Sequence, residues 1–227
     1  MDRVDGHSFG RRGFLAGSAA GGLVLLTGCE GMGGFSMVEA IRRLLTISAQ
    51  RAFSRLTAPG GFWDNEVARF DLPDMFSGSG GTIRSLLTST VFKSQLQKQL
   101  NLMAEKGAER AAPVVLEAVR NISITDAVRL VRGGPNEATT WLRGEMGPAL
   151  VNAMVPGLSD ALRISRDPIV GQAIRALSGV DVSAIAGGIA TRADNSIWSQ
   201  IGVEESAIRA NPQSTSDPLL IGVFRVL

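Results

Sequence analysis

From Phe35 onward the apolar residues recur at intervals of three and four, and no convincing run alternates at two. That is the spacing of one face of an α-helix. Met37, Ile41, Leu44, Leu45, Ile47 or Ser48, Ala52 and Leu56 form the first stripe, with Arg42, Arg43, Gln50 and Arg51 largely on the other side. Pro59-Gly60-Gly61 ends this helix. The stretch Phe62–Pro73 is a connector in which Asp64 can cap a short turn and Phe62, Trp63 and Phe70 lie over the core. Ser77–Gly81 reads as a loop, and helical spacing resumes near Thr82. The long stripe that follows is Leu96, Leu100, Met103, Gly107, Ala111, Val114, Ala118 and Ile122. Its small members, Gly107 and Ala111, let a neighbouring helix approach closely, and Pro113 should kink the helix by removing a hydrogen bond.

Further along, Ser123 and Asp126 have capping-box spacing and predict a helix over 124–132 that stops at Gly133-Gly134. Pro135 suits the first turn of the next helix. Its stripe is Ala138, Leu142, Met146, Ala149 and Ala153, broken at Pro148 and Pro156. Asp167-Pro168 opens a helix over 168–177. Asp181 opens another, whose stripe is Val182, Ile185, Ile189, Ala193, Ile197 and Ile201, and a separate short helix follows near 203–210. The apolar tail, with Leu219, Leu220, Val223 and Phe224, should dock back on the body. The expected fold is all-α: an irregular bundle of about eight helices in one domain, kinked at Pro113, Pro148 and Pro156.

The first 36 residues follow other rules. Arg11 and Arg12 precede Phe14, Leu15 and a weakly apolar run to Leu26 of about 13 residues. A bilayer-spanning helix needs roughly 20. The order of positive, apolar and small residues is that of a cleaved signal peptide. The paired arginines resemble a twin-arginine signal, although Gly10 and Ala16 depart from the usual motif; the general secretory route is the alternative. Leu26-Thr27-Gly28-Cys29 resembles a bacterial lipobox, in which the Cys29 thiol accepts diacylglycerol. Each buried methylene contributes about 0.8 kcal/mol, so two or more acyl chains anchor a protein stably. The expected organisation is a signal peptide over 1–28, a lipidated Cys29 with a flexible tether to 36, and a helical domain over 37–224. The expected location is the cell envelope, facing the periplasm, with the inner or outer membrane undecided.

Cleavage before Cys29 alters the chemistry on offer. His7 is the one histidine, Cys29 the one cysteine, and the chain has no tyrosine. The mature chain therefore lacks the parts of a Ser-His-Asp triad, a Cys-His pair or a His/Cys zinc site. No cofactor or metal is expected. The chain carries 23 basic and 21 acidic residues; residues 1–28 hold three of the former and two of the latter, leaving 20 and 19. Near-neutral charge speaks against nucleic acid as a partner.

Several motifs together carry a family resemblance. They are Pro59-Gly60-Gly61-Phe62, Ala108-Glu109-Arg110-Ala111-Ala112-Pro113, Ile124-Thr125-Asp126-Ala127, Gly133-Gly134, Ala138–Arg143, Glu204–Pro212 and Leu219-Leu220 with Val223-Phe224. In order and spacing they resemble the bacterial DUF4197 family, over roughly residues 37–224. The resemblance implies an exported helical domain and transfers no activity. The chain departs from the family's usual pattern at Glu105, where members tend to have Asn, and at Gly188, where they tend to have an aromatic.

The charges in these motifs, Glu109, Asp126, Arg143, Glu204, Glu205 and Arg209, form a candidate polar cluster. The structural expectation is a cap at Asp126, a partly buried ion pair between Glu109 and Arg143, and an i,i+4 pair of Glu205 with Arg209 contributing a few tenths of a kcal/mol. The chemical expectation is a carboxylate whose pKa is raised by apolar walls, or two acids flanking a glycosidic bond. The favoured reading is a non-enzymatic envelope lipoprotein, held to the membrane through acylated Cys29 and binding an envelope protein or lipid-like ligand in a helical groove. The alternative is a carboxylate-dependent hydrolase of cell-envelope polymers.

Overall fold

The computed structural model of the chain describes residues 29–74, 76, 81–121, 123–177 and 181–225. The signal segment 1–28, with Arg11, Arg12, Phe14 and Leu15, lies outside them, as do residues 77–80 of the expected loop and the side chain of Cys29. The described residues form helices and no strand, so the all-α expectation holds. Nine α-helices are described among them: α1 (Cys29–Leu56), α2 (Thr82–Leu87), α3 (Thr90–Asn121), α4 (Ala127–Arg132), α5 (Glu137–Met146), α6 (Ala149–Ile164), α7 (Pro168–Ala176), α8 (Val182–Ala210) and α9 (Pro218–Phe224).

Four long helices build the core. α8 packs on α1, α3 and α6, and α3 packs on α1 and α6. α8 is buried on most of its circumference: Ile185, Ile189, Ala193, Ile197 and Ile201 from the expected stripe are covered, and so are Ala186, Ala190 and Trp198. A helix apolar nearly all round belongs at a centre. α6 lies against α3 where Gly107 faces Met154 and Leu158, at 3.5–3.6 Å from the position a Cβ would take. The close approach expected at Gly107 is therefore realised.

The helix boundaries follow identifiable local chemistry. The Asp167 carboxylate accepts from the N–H groups of Ile169 and Val170, and Asp181 accepts from Ser183, so both act as N-caps as their spacing predicts. The expected start of α4 moves: its cap is Asp126, which accepts from the Arg129 N–H, rather than Ser123. In the connector the capping carboxamide is Asn65, bonded to the N–H groups of Val67 and Ala68, rather than Asp64. The helix expected separately near 203–210 is the C-terminal part of α8, because 182–210 contains neither proline nor a broken stripe. α1 starts at Cys29, so the backbone of 29–36 is helical where a tether was expected. Once a nucleus exists, each added residue brings a further hydrogen bond, which lets a helix extend upstream through glycines.

The prolines act less uniformly than expected. Pro113 and Pro156 sit inside α3 and α6, which continue past them, whereas Pro148 separates α5 from α6 and stands at the N-cap of α6. Beyond Pro113 the buried positions of α3 are Val115 and Val119, each one residue later than the expected Val114 and Ala118, which are half-buried. The tail docks as expected: Leu220 and Phe224 of α9 are buried.

Candidate functional site

The polar residues of the interior are concentrated at helix ends. Glu205, in α8, is fully buried. Its carboxylate accepts from the Ala138 N–H at 3.1 Å, the Thr139 N–H at 2.7 Å and the Thr139 hydroxyl at 2.6 Å. These are first-turn groups of α5, whose own N-cap, Asn136, makes no side-chain capping bond. Glu205 thus caps α5 from another helix, supplying acceptor and negative charge where the helix dipole wants both. One turn on, Arg209 completes the device. Its Nε donates to Glu205 at 2.8 Å, and its two Nη groups donate to the carbonyls of Val131 and Leu130 at 2.9 and 2.8 Å. Those carbonyls close α4. The guanidinium also lies 4.9 Å from the centre of the Phe224 ring of α9. One buried ion pair on α8 therefore fastens the C-terminus of α4, the N-terminus of α5 and the tail.

The other members of the expected cluster are dispersed. Glu109 pairs with Lys106 on its own helix at 2.6 Å, not with Arg143. The expected Glu109–Arg143 pair does not form. Arg143 instead reaches α8, bonding Asp194 at 2.9 Å and also Asn195. Asp194 accepts in addition from the Trp198 indole at 2.9 Å. Burial raises the Asp194 pKa despite Arg143 and Trp198, which both pull it down. Asp126 serves as a cap and pairs with Arg129 at 2.9 Å.

Glu204, adjacent to Glu205, points elsewhere. About 100° separates successive residues on a helix, which turns Glu204 toward α1 and the connector. Its carboxylate accepts from Arg55 Nη1 at 3.0 Å and from the Gln200 amide at 3.2 Å. Gln200 in turn accepts from the Asn65 amide at 3.0 Å. Arg55, Gln200 and Asn65 of this polar chain line an open surface depression of about 600 Å³, with Glu204 behind them. Its wall is the Pro59-Gly60-Gly61 turn, its rim Val67 and Val203, and its remaining charges Asp64 and Glu66. Val67 and Val203 are 44% and 43% exposed.

The turn is fixed by its glycines. Gly60 has φ +79°, the left-handed region where a side chain is strained. At Gly61 a Cβ would stand 2.3 Å from the Arg55 carbonyl oxygen and 2.5 Å from that of Leu56, so only glycine lets the loop fold onto the end of α1. Behind the turn, Asn101 of α3 holds the connector by accepting from the Phe70 N–H at 3.1 Å and donating to the Phe70 carbonyl at 3.0 Å. Phe62 is fully buried and packs edge-on against Phe70, with ring centres 6.1 Å apart. Trp63 is half-buried beneath Arg69.

Glu105 sits one turn further along α3. It is 8% exposed, and its Oε1 has no hydrogen-bond partner. Burial raises its pKa, while the N–H groups of Phe62 and Gly60 and the nearby Lys106 oppose the rise and Asp64 adds to it. Among the described residues no three carboxylates are grouped to hold a metal, and no helix is long and apolar enough to cross a membrane.

Arg55, Asn65, Asn101 and Gln200 were not singled out by sequence reasoning. Gln200 and Glu204 did carry a signal, as polar residues one turn apart beside the apolar Ile197 and Ile201. For Arg55, Asn65 and Asn101 nothing in the spacing marks them.

The profile of DUF4197, described as a protein of unknown function, matches residues 32–225. Neither a curated protein nor a solved structure gives a match.

Proposed function

The chain belongs to the DUF4197 family, and from that premise we propose that it is a non-enzymatic envelope lipoprotein that docks a protein partner in the depression beside the Pro59-Gly60-Gly61 turn. One observation carries the reading. The acids that could have done chemistry are spent on architecture, whereas the depression keeps unsealed valines above a floor of carboxamides. Glu109, Asp126, Glu204 and Glu205 all end in ion pairs. Glu105 is buried. A hydrolase of envelope polymers needs two acids facing one another across a cleft that admits a sugar chain, and these five residues supply no such arrangement.

A protein partner suits the depression better than an acyl chain does. Lipid tails call for an enclosed apolar cavity, and this hollow is open, with Asp64, Asn65, Glu66 and Gln200 in its lining. Carboxamides and short apolar side chains fit the alternating polar and apolar groups of a peptide. The proposed anchor is supported by the resemblance of Leu26-Thr27-Gly28-Cys29 to a lipobox; on this reading two or more acyl chains on Cys29 hold the domain at a periplasmic membrane surface. Partners are thereby restricted to envelope proteins within reach of that surface.

The test uses the whole chain expressed in a bacterium that exports it. A photo-crosslinking residue at Val203 is compared with the same residue at Ile164, which is 77% exposed and lies away from the depression. The expected result is a discrete adduct of one envelope protein from position 203, absent from 164 and suppressed by excess uncrosslinkable protein. Equal labelling from both positions overturns the reading, as does a Cys29→Ser chain that gives the same adduct in the cytosol.

A further inference from the structure

A second hollow, of about 520 Å³, shares no lining residue with the first. Its size falls in the range of roughly 300–1,000 Å³ typical of small-ligand sites. Its apolar lining is well packed: Leu72 and Phe76 are buried and Leu87 is half-buried. Three cations from three separate helices complete the lining, Arg84 of α2, Lys93 of α3 and Arg192 of α8. The start of α3 borders the same hollow, with Lys93 and no acid in its first turn, so no carboxylate there offsets the positive pole of the helix.

Two carboxylates share this lining and do not cancel the cations. Asp71 accepts from the Gln97 amide at 3.2 Å. Asp74 pairs with Arg192 but is 94% exposed, and a pair of that kind contributes little. Arg84 and Lys93 meet no carboxylate among the described residues, whereas Arg43, Arg55, Arg129, Arg143 and Arg209 each do. Two cations without acids, and a third held weakly, therefore edge one concavity with an apolar wall.

The arrangement selects among anions. A carboxylate has two oxygens in one plane, and a single guanidinium fork satisfies it. A phosphoryl group has three peripheral oxygens pointing in different directions, so it can take a donor from each of three helices. The apolar wall calls for a non-polar body on the same molecule. We propose that this hollow binds a phosphate ester, its phosphoryl oxygens on Arg84, Lys93 and Arg192 and its apolar body against Leu72, Phe76 and Leu87. The site goes beyond the docking reading above and does not rest on it.

The experiment is a titration of the full chain, labelled with ¹⁵N, at one fixed ionic strength. The Nε–H groups of Arg84 and Arg192 and the backbone amides of Leu87 and Thr88 report on the hollow. The probes are phenyl phosphate, inorganic phosphate, benzoate and dihexanoyl-phosphatidylglycerol below its micelle concentration. Phenyl phosphate is expected to shift all four groups. It should bind about tenfold more tightly than inorganic phosphate, through the buried ring, and about tenfold more tightly than benzoate, through the third oxygen. Arg84→Gln and Lys93→Gln, at exposed positions that should not affect folding, are each expected to weaken phenyl phosphate by at least about fivefold. Arg132→Gln removes the same charge from a separate hollow and should leave binding unchanged. Tighter binding of phenyl phosphate than of the lipid identifies a soluble monoester, and the reverse a phospholipid headgroup; both sustain the site. Benzoate or inorganic phosphate binding as tightly as phenyl phosphate overturns the inference. So does an equal loss in Arg132→Gln, which would mark a response to net charge alone, and so does the absence of shifts from both esters.

Discussion

Replacing Glu205 by alanine removes the acceptor that α5 needs and the counter-ion that Arg209 needs. Arg209 has a side chain only 10% exposed and no other carboxylate bonded to it among the described residues. Breaking a buried pair by deleting one partner costs about 3–5 kcal/mol, because the remaining charge is stranded. Losing a helix N-cap costs about 1 kcal/mol on its own. The two losses share one carboxylate and overlap, so the expected cost of Glu205→Ala is about 4 kcal/mol. That is an order of magnitude above the few tenths expected when Glu205 and Arg209 are taken as an exposed i,i+4 pair. In a domain of this length it lowers the Tm by roughly 10 °C.

The assay is urea unfolding followed by far-ultraviolet circular dichroism and tryptophan fluorescence, with coincident transitions as the two-state check. A double-mutant cycle isolates the pair. Glu205→Gln keeps an acceptor for the Ala138 and Thr139 N–H groups, and Arg209→Met keeps volume without charge. The double variant should be more stable than the sum of the single effects predicts, by about 2 kcal/mol or more. Hydrogen exchange adds a local readout: in Glu205→Ala, which removes the acceptor, the amides of Ala138 and Thr139 should lose protection before those of α3. A cost below about 1 kcal/mol for Glu205→Ala, or strict additivity in the cycle, refutes the account of α8 as the fastener of α4 and α5.

Other outcomes follow from single sites. Gly61→Ala forces a Cβ against the backbone carbonyls of Arg55 and Leu56 and should destabilise by at least about 2 kcal/mol, read as a fall in the urea midpoint at unchanged m. Asp167→Ala removes the cap of α7 and should cost about 1 kcal/mol, with Asn at the same position nearly neutral. Glu105→Gln tests the buried acid by pH. Burial raises the folded-state pKa above its ordinary 4.5, so below that value both states are protonated and wild type carries no penalty. As pH climbs, the unfolded chain ionises first, and wild type loses stability until the raised folded value is passed. The Gln variant should therefore match wild type near pH 4 and exceed it at pH 8; an advantage that is constant with pH rules out the buried charge as its cause.

The parts of the fold legible in the sequence were those set within a few residues. Caps at Asp167 and Asp181 act on N–H groups two or three positions away, and the α8 stripe repeats every three or four. The misreadings have equally local causes. Val114 and Val115 are both apolar neighbours of Pro113, so spacing alone cannot say which one the helix turns inward. Asp64 and Asn65 are adjacent capping residues of similar strength, and tertiary contact with Gln200 helps select Asn65. What stayed hidden was long-range. Glu205 meets Ala138 and Thr139 across a separation of 66–67 residues, and Asn101 meets Phe70 across 31. The start of α5 was misread for the same reason: Pro135, expected in its first turn, precedes the N-cap Asn136, and the acceptor for the first-turn N–H groups lies on another helix.

That division of labour also explains why a candidate site was legible only in part. Glu204 and Glu205 are indistinguishable as a dipeptide, yet the helix aims them at opposite tasks. Glu205 faces inward, where four donors surround it and exchange with an outside group would require α4 and α5 to part. Glu204 lies behind the lining of the hollow, beneath Gln200, and its ionic partner there is Arg55, an arginine 62% exposed. Burial of the two side chains is nearly equal, at 0% and 3%, so burial does not separate structure from recognition here. What separates them is the exposure of the partner. A buried acid whose counter-ion is also buried, as Glu205 is with Arg209, is held from within the frame, whereas Glu204 is braced from the surface by Arg55.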